Sequence, residues 1–352
     1  MFRCAVPERV VVAMSGGVDS SVAAALLQEQ GYDVVGITLH LWDPEGAASL
    51  GRCCRPEDRE DARTVAARLD IPHYVIDRRE AFRTFVVDPF AAQYVLGRTP
   101  NPCVHCNREV KLGPLIDIAR ELGAERVATG HYARVDGDRL LRATDRGKDQ
   151  SYFLFSVGAR VLSRLILPLG STTKAETRAA ATRLGLHTFD KPDSQELCFV
   201  PDGGVGDFIA AQRVPHPPGN IVDPAGIVLG RHAGIAHFTV GQRRGVGLGG
   251  GGERRYVLRI IADTQTVVVG PEQDLFRTEL TADDASWLVP PSEQPFEARV
   301  RIRSGHEPER ARVTAHRSGF DCVFETPQRA ITPGQAAVVY RDEQVLGGGF
   351  IV

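Results

Sequence analysis

The chain has 352 residues, 43% of them hydrophobic and 24% charged, and its formal net charge is −2. A single core rarely grows beyond roughly 250 to 300 residues, so we expect two or three domains. The balanced charge gives no global positive field for nucleic acid. Apolar runs fall short of the roughly 20 residues that span a bilayer, and Pro7, Glu8 and Arg9 interrupt any signal peptide, so we expect a cytoplasmic protein without membrane association.

The first two hundred residues alternate strand-like and helix-like segments. Strands are predicted at 10–14, 34–39, 73–76 and 126–129, and helices from 22 to 30 and at 56–69, 79–97 and 112–122. This alternation predicts an α/β fold with a doubly wound parallel sheet. Ligands bind at the carboxyl ends of such strands, so residues 15–21, 39–42 and 129–132 should converge.

Residues 15–21, S-G-G-V-D-S-S, lie between the first strand and the first helix. Gly16 and Gly17 allow a sharp turn close to a ligand, and the amides that open the helix attract anions. Ser20 and Ser21 can add hydroxyl donors. The segment lacks the Lys that reaches the terminal phosphates in G-x-x-x-x-G-K-[ST] loops. It resembles the loop of the ATP pyrophosphatases, which binds pyrophosphate while the α-phosphate is attacked; the alternative is a turn without ligand.

After about residue 205 the sequence changes to short β-like runs, at 227–229, 237–240, 256–262 and 266–270. Alternating strands then follow at 297–302, 311–315, 321–325, 336–340 and 345–351, which predicts a small barrel. We therefore expect an ATP-binding catalytic domain at 1–204, a small central β-rich domain at 205–275 and a C-terminal β-barrel at 276–352. Residues 160–185 belong to the first domain or pack with the central one.

The seven cysteines are an odd number without an export signal, which argues against a disulfide framework. Cys103 and Cys106 form a C-x-x-C in a Pro-rich loop, and Cys198 lies in D-S-Q-E-L-C-F. Thiols near a helix N-terminus or an Arg have a lowered pKa and are nucleophilic as thiolates. A closed zinc site needs four ligands, and the adjacent Cys53 and Cys54 fit poorly as a second pair. Inert core thiols are the other alternative.

Seven segments carry a specific resemblance. S-G-G-V-D-S-S, T-P-N-P-C-V-H-C-N, A-T-G-H-Y, K-D-Q-S-Y-F-L, D-S-Q-E-L-C-F, F-T-V-G-Q-R-R-G and T-P-G-Q-A are similar, in this order, to segments of the bacterial tRNA-specific 2-thiouridylases. The resemblance covers almost the whole chain. It implies that ATP adenylates the C2 oxygen of wobble uridine 34, and that a cysteine persulfide then replaces this oxygen, giving 2-thiouridine, AMP and pyrophosphate.

The resemblance also implies roles for individual residues. Cys198 would carry the persulfide, and Cys106 would attack it, ending in a Cys106–Cys198 disulfide. Leu39 and Gly130 would line the adenosine pocket, although Leu39 could equally be plain core. The ATP phosphates would be bound by Ala13, Met14, Ser15, Gly16, Gly17, Val18, Asp19 and Ser20, with Asp19 helping to hold Mg²⁺. Since a disulfide needs α-carbons within about 7 Å, we expect the Cys198 segment not to be fixed without tRNA.

Cys103 stands where the family frequently has Asp, so the role of a carboxylate as base is in doubt. Cys103, Cys106 and Cys198 together could hold a [4Fe-4S] cluster whose open iron carries sulfide. The persulfide route and the cluster route both remain open from the sequence.

The tRNA would be contacted, by the same resemblance, through two groups of residues. Asn101, Pro102 and Cys103 would lie beside the base, and His131, Lys148, Asp149 and Gln150 near the tRNA. Arg299, Arg301 and Arg303 are spaced by two along a predicted strand, so one face could follow phosphates with support from Gln335.

The implied partners are the tRNAs for Lys, Glu and Gln, and a cysteine desulfurase or persulfide carrier protein as sulfur donor. Rival functions are another ATP pyrophosphatase, such as an amide-forming ligase or a 4-thiouridine synthase, and a non-catalytic nucleotide- or RNA-binding module.

Overall fold

The computed structural model describes residues 7–43, 56–192, 197–201, 204–212, 214–215, 217–248 and 254–352. The chain divides into two compact units. The first unit comprises Met1–Phe85, Cys103–Phe199 and Glu343–Val345, and the second comprises Val86–Pro102, Val200–Asp342 and Leu346–Val352.

The helices and strands are numbered in chain order. The α-helices are α1 (Val18–Glu29), α2 (Pro56–Arg68), α3 (Arg79–Phe82), α4 (Asp88–Val95), α5 (Pro102–His105), α6 (Gly113–Glu121), α7 (Ala159–Leu162), α8 (Lys174–Arg183) and α9 (Val205–Ala211). The strands of the first unit are β1 (Arg9–Ala13), β2 (Asp33–His40), β3 (His73–Asp77), β4 (Arg126–Ala128), β5 (Ala133–Asp136), β6 (Arg139–Arg142) and β7 (Leu165–Ile166). Those that follow are β8 (Gly219–Val222), β9 (Val228–His232), β10 (Tyr256–Ile261), β11 (Thr266–Gly270), β12 (Phe276–Trp287), β13 (Phe296–Arg301), β14 (Glu309–Ala315), β15 (Gly319–Arg329), β16 (Ala336–Arg341) and β17 (Gln344–Ile351).

The first unit is built on a parallel sheet in the order β3-β2-β1-β4-β7. Val10, Val11 and Val12 in the central strand are fully buried, as a strand covered on both faces requires. Apolar residues of α1, α2 and α8 join β1 in one core. This arrangement confirms the predicted α/β fold with a parallel sheet.

The strand order decides where a ligand can bind. Ala13 is opposite Ile37 of β2, and Val12 is opposite Ala128 of β4, so the carboxyl ends of three parallel strands lie side by side. The segments that follow β1, β2 and β4 therefore converge at one edge of the sheet, as the sequence predicted.

Two helical regions differ from the prediction. The helix predicted at 79–97 is interrupted by a π-helix at Arg83–Val87 between α3 and α4. The second region begins at Pro102 rather than at residue 112, because proline fits the first position of a helix, where its missing N–H is not needed. Cys103 therefore lies on α5 and Cys106 opens a π-helix at Cys106–Leu112, so the prediction of a C-x-x-C in a loop is wrong.

The central part of the second unit holds a sheet in the order β10-β11-β8-β9 around buried Ile221, Val257, Val267 and Val269. The strand predicted at 237–240 is wrong. Ile235–His237 is a short 3₁₀-helix, and the amide of Thr239 donates to the side chain of Gln242 at 2.9 Å. That local hydrogen bond replaces the sheet pairing a strand would need.

The last part of the second unit is a closed barrel of six strands in the order β12-β15-β14-β13-β16-β17, with β12 also paired to β17. Val300, Phe320 and Val339 are fully buried in its core. The barrel was predicted, but β12 was missed because its sequence, F-R-T-E-L-T-A-D-D-A-S-W, is mostly polar. No helix among the described residues combines the length and the apolar character needed to cross a bilayer.

The predicted basic face of three arginines does not form. Arg301 is 4% exposed and donates to the carbonyl of Ser304, while Arg303 lies beyond the end of β13 and donates to the carbonyl of Arg329 at 3.1 Å. Arg299 is exposed. Residues two apart on a strand point to the same face. Here the side chain of Arg301 is buried, so that face is not an exposed basic surface, and the residue spacing alone could not show this.

Candidate nucleotide and thiol site

The turn that follows β1 has the geometry of an anion-binding loop. Gly16 has a φ of +73°, which favours glycine, and Gly17 is the residue that precedes α1. No side chain caps this helix, so its first amides are open to a bound anion. The hydroxyls of Ser20 and Ser21 donate to the carbonyl of Gly17 at 3.2 and 2.8 Å, and so they shape the loop from within.

Two glycines bring other segments against this turn. A β-carbon on Gly16 would overlap the carbonyl oxygen of Asp58 at the start of α2. A β-carbon on Gly130, which follows β4, would lie 2.7 Å from the backbone of Asp19 and Ser20. Gly130 therefore lies directly against the start of α1, and the loop is enclosed from two sides.

Asp19 lies at the centre of a polar network. Both of its carboxylate oxygens accept hydrogen bonds from Lys174 Nζ, at 2.7 and 2.8 Å. The hydroxyl of the buried Tyr132 donates to the same carboxylate at 2.9 Å. The carboxylate expected to hold Mg²⁺ is thus neutralised by a lysine ammonium group in this structure.

A second lysine supports the loop from the other side. Lys191 Nζ donates to the carbonyl of Gly16 at 3.0 Å, to Asp58 at 2.5 Å and to Asp61 at 2.6 Å. Burial opposes the charge of Lys191, but the hydrogen bonds to the two carboxylates outweigh it and raise the pKa of the ammonium group. The segment that carries Lys191 leads along the chain toward Cys198.

The sequence prediction missed Lys174 and Lys191. Both lie more than 150 residues from the loop in sequence, and only the fold brings them to it. The sequence did contain one signal for these positions. Only four of the 42 Lys and Arg residues are lysines, so a position that holds Lys rather than Arg is unusual in this chain. A compact ammonium group fits a narrow site between carboxylates better than a planar guanidinium group.

Cys198 is placed by the aromatic residue next to it. Phe199 is 3% exposed and packs against Phe82 and Trp42, with ring centroids 5.6 and 6.4 Å apart. Trp42 follows β2, so the half-buried Cys198 lies near the carboxyl end of that strand. Leu39, half-buried, is near the end of β2 itself. The expectation that the Cys198 segment is not fixed falls partly on residues 193–196, which lie outside the described residues.

The other thiols differ in exposure. Cys103 is exposed, whereas Cys106 is buried. Burial raises the pKa of the Cys106 thiol, and the nearby positive charge of Lys111 only partly offsets this. The expectation of a lowered thiol pKa is wrong for Cys106, because loss of hydration outweighs the nearby positive charge.

The residues expected near RNA have varied surroundings. Asp149 is buried and accepts from Arg142 Nε at 3.1 Å, and Gln150 accepts from the amide of Tyr132 at 2.9 Å. Lys148 is half-buried. His131 bonds to the Thr129 hydroxyl at 2.7 Å; burial, together with the charge of Lys111, lowers the pKa of its ring to about 3. His131 is therefore a neutral ring at neutral pH.

In the second unit, Asn101 and Pro102 are buried, and Gln335 donates to the carbonyl of Thr99 at 2.8 Å. The Gln335 amide thus serves an internal hydrogen bond.

The structure contains no preformed set of ligands for either expected group, the magnesium ion or the iron–sulfur cluster, among the described residues. Among the described residues, no three His, Cys, Asp or Glu side chains are grouped closely enough to hold a metal ion. Cys103, Cys106 and Cys198 are all described and form no such group, so their arrangement in this structure does not fit an iron–sulfur cluster.

Comparison with known proteins covers nearly the whole chain. Residues 8–202 match the tRNA methyl transferase HUP domain, residues 206–271 the tRNA methyl transferase PRC-barrel domain, and residues 277–351 the aminomethyltransferase beta-barrel domain. The tRNA-specific 2-thiouridylase MnmA of Sorangium cellulosum is 50% identical over 97% of this chain and 92% of its own length. Proteins of the same name are 50% identical in Chloroflexus aurantiacus, over 97% of this chain and 98% of theirs, and 46% identical in Geobacter metallireducens, over 98% and 96%.

Substituting Gly16→Ala should abolish nucleotide binding. Alanine at a positive φ costs about 1 to 2 kcal/mol, and here its methyl group would also displace the Asp58 carbonyl. Gly137→Ala is the control, since Gly137 has a φ of +62° in the same unit but open space around it. Calorimetric titration with ATP and thermal melting distinguish the two. Equal nucleotide affinity in both variants would contradict the assignment of the loop.

The neutral His131 predicts a pH dependence of stability. Its pKa is about 3 in the folded chain, whereas a freely hydrated histidine has a pKa of 6.5. Between these values the unfolded chain binds more protons, so stability falls as the pH drops below 6.5. Urea unfolding should show wild type losing up to about 1.4 kcal/mol per pH unit more than His131→Asn. His316→Asn, at an exposed position, should behave as wild type. Parallel pH profiles for wild type and His131→Asn would refute the assignment.

Proposed function

Because the chain belongs to the family of tRNA-specific 2-thiouridylases, we propose that it uses ATP to replace the C2 oxygen of wobble uridine 34 in tRNA by sulfur. The observation that carries this proposal is the placement of Cys198. Through Phe199 and Trp42 it lies near the carboxyl end of β2, the strand next to the Gly16 turn, within one compact unit that also holds Cys106.

ATP activates the oxygen. A carbonyl oxygen is a poor leaving group, and attack by the C2 oxygen on the α-phosphorus converts it into an adenylate while pyrophosphate leaves. The Gly16–Gly17 turn and the open amides of α1 hold the phosphates in this proposal. Leu39 lies near the end of β2 and Gly130 follows β4, the two strands that flank β1, which supports their assignment to the adenosine pocket.

The charges beside the loop favour a cation that enters with ATP. Lys174 and Lys191 contribute two positive charges, and Asp19, Asp58 and Asp61 contribute three negative ones, which leaves one negative charge before the polyphosphate binds. A dianionic or more highly charged ligand needs compensation. We propose that Mg²⁺ accompanies ATP and that Asp19 is the residue to hold it, exchanging its contact with Lys174.

The sulfur step uses two thiols. The Cys106 thiolate attacks the inner sulfur of a Cys198 persulfide, so the persulfide bond breaks, a Cys106–Cys198 disulfide forms and the terminal sulfur leaves as hydrosulfide. The hydrosulfide adds to C2, AMP departs with the former oxygen, and an external thiol reductant restores both cysteines. Because burial raises the pKa of Cys106, this thiol must lose its proton to an acceptor when RNA binds.

The iron–sulfur route is the alternative for the same reaction. It would use Cys103, Cys106 and Cys198 as ligands, but the described residues contain no such group. Anaerobic purification with iron and sulfide analysis decides between the routes. A stoichiometric cluster required for turnover would overturn the persulfide assignment.

Two other functions differ from thiolation in their products. One is methyl transfer, which the matching family models name, and the other is nucleotide or RNA binding without turnover. Neither releases AMP and pyrophosphate in a tRNA-dependent manner. The phosphate-binding turn close to Cys198 has a use in thiolation and none in methyl transfer.

The substrates and partners follow from the same proposal. We propose that the accepted tRNAs are those for Lys, Glu and Gln, that a cysteine desulfurase or a persulfide carrier delivers sulfur to Cys198, and that the reaction takes place in the cytoplasm. Asn101, Pro102 and Cys103 would recognise the base, and His131 and Lys148 would lie near the tRNA, with Asp149 and Gln150 supporting them from within.

Replacing Cys198 by Ser should abolish 2-thiouridine formation while nucleotide binding is retained, because the loop is untouched. Wild type with ATP, desulfurase, cysteine and tRNA should give 2-thiouridine together with AMP and pyrophosphate. Cys106→Ser should accumulate the Cys198 persulfide without transferring it. Mass spectrometry of the nucleosides and of the intact protein measures both results.

The matched control is Cys322→Ala, which removes a buried thiol from the barrel core. It should retain turnover. Formation of 2-thiouridine by the double variant Cys106→Ser/Cys198→Ser would reject the two-thiol mechanism.

A further inference from the structure

The backbone of Thr99, three residues before Pro102, is held on both sides by a single turn of the barrel unit. Its amide donates to the carbonyl of Pro333 at 2.8 Å, and its carbonyl accepts from Gln335 Nε2 at 2.8 Å. Both polar groups of one peptide residue are therefore satisfied by the segment 332–335. Thr99, Pro333 and Gln335 belong to the same compact unit.

The approach is close enough to require a glycine. Gly334 has a φ of +90°, and a β-carbon there would lie 2.9 to 3.0 Å from three backbone atoms of Thr99. The turn itself is fixed by β17, since Gly334 donates to the carbonyl of Ile351 and Ile351 donates to that of Gln335, both at 2.8 Å. The turn that holds Thr99 is thus hydrogen-bonded to the last strand of the barrel.

A second segment holds the side chain of Thr99. Its hydroxyl donates to the Thr239 hydroxyl at 3.3 Å, and Tyr94 also forms a hydrogen bond with Thr239. Gly241 has a φ of +87°, and a β-carbon at this residue would lie 2.8 Å from the β-carbon of Ala330. The motifs F-T-V-G-Q and T-P-G-Q-A, to which the chemistry assigns no step, therefore meet at Thr99.

The sequence after Thr99 transmits this constraint. Pro100 and Pro102 fix their own φ, and each disfavours the helical conformation in the residue before it. The segment Thr99-Pro100-Asn101-Pro102 consequently has few free dihedral angles. Fixing the peptide of Thr99 sets the direction in which Asn101 is presented, just ahead of Cys103.

We infer that Gln335 and Gly334 are positioning residues: they hold Thr99 so that the segment Asn101–Cys103 is preorganised for the base. This role rests on the proposed function, since it concerns the segment assigned to base recognition. This role differs from direct contact between Gln335 and tRNA, because it acts through the hydrogen bond from Gln335 Nε2 to the Thr99 carbonyl.

The test uses Gln335→Met, which keeps length and removes the donor, and Gly334→Ala, which blocks the approach. In the free protein, hydrogen exchange of the Thr99 amide should become about tenfold faster in both variants. With tRNA, kcat should fall about tenfold or more while the tRNA Kd stays within about twofold, because misplacement costs rate rather than uniform binding. Circular dichroism confirms folding; if Gly334→Ala does not fold, Gln335→Met carries the test.

Two controls match the substitutions. Gln28→Met removes another amide that donates to a distant carbonyl, that of Leu69 at 2.6 Å. Gly226→Ala places alanine at a φ of +87° with open space around it. Both should leave Thr99 exchange and kcat unchanged.

Weaker tRNA binding with unchanged Thr99 exchange would overturn the inference in favour of direct RNA contact. Unchanged exchange and unchanged kcat would overturn it outright. Faster exchange in both variants, together with a wild type that forms no 2-thiouridine, would reject the proposed function while the anchoring of Thr99 stands.

Discussion

The close approach of Gly16 to the Asp58 carbonyl is the constraint on which the rest of the first unit depends. It joins the turn after β1 to the start of α2 with no room for a side chain. The same two residues share Lys191, whose ammonium group bonds to the Gly16 carbonyl and the Asp58 carboxylate. One turn, one helix and the segment that leads toward Cys198 are thereby held together.

The negative charges in this region are balanced by ion pairs with two lysines rather than by a large positive surface. Lys174 neutralises Asp19, and Lys191 is shared between Asp58 and Asp61. Burial opposes the charge of Asp61, but hydrogen bonds from Lys191 and His187 lower its pKa, so this carboxylate stays ionised beside the loop proposed to bind phosphates. Each lysine is a point charge that can change partners when a more highly charged ligand arrives.

The three described thiols of the first unit differ in their exposure to solvent. Cys198 is half-buried beside an aromatic cluster, Cys103 is exposed on α5, and Cys106 is buried at the start of a π-helix. Burial raises the pKa of Cys106 and so keeps this thiol protonated and inert until its surroundings change. In the proposed reaction, a protonated Cys106 leaves the sulfur stored on Cys198 in place until RNA binds.

The sequence by itself determined the α/β sheet, the presence of a C-terminal barrel, the family and the glycine turn after β1, because these depend on local hydrophobic periodicity, glycine and order along the chain. Tertiary structure alone decided which distant groups meet: Lys174 and Lys191 at the loop, Phe199 on Trp42, and Gln335 on the Thr99 carbonyl. It also decided that Arg301 is buried and that Cys103 lies on a helix. Contacts between residues far apart in sequence are set by packing, and packing leaves no local pattern that a single sequence displays.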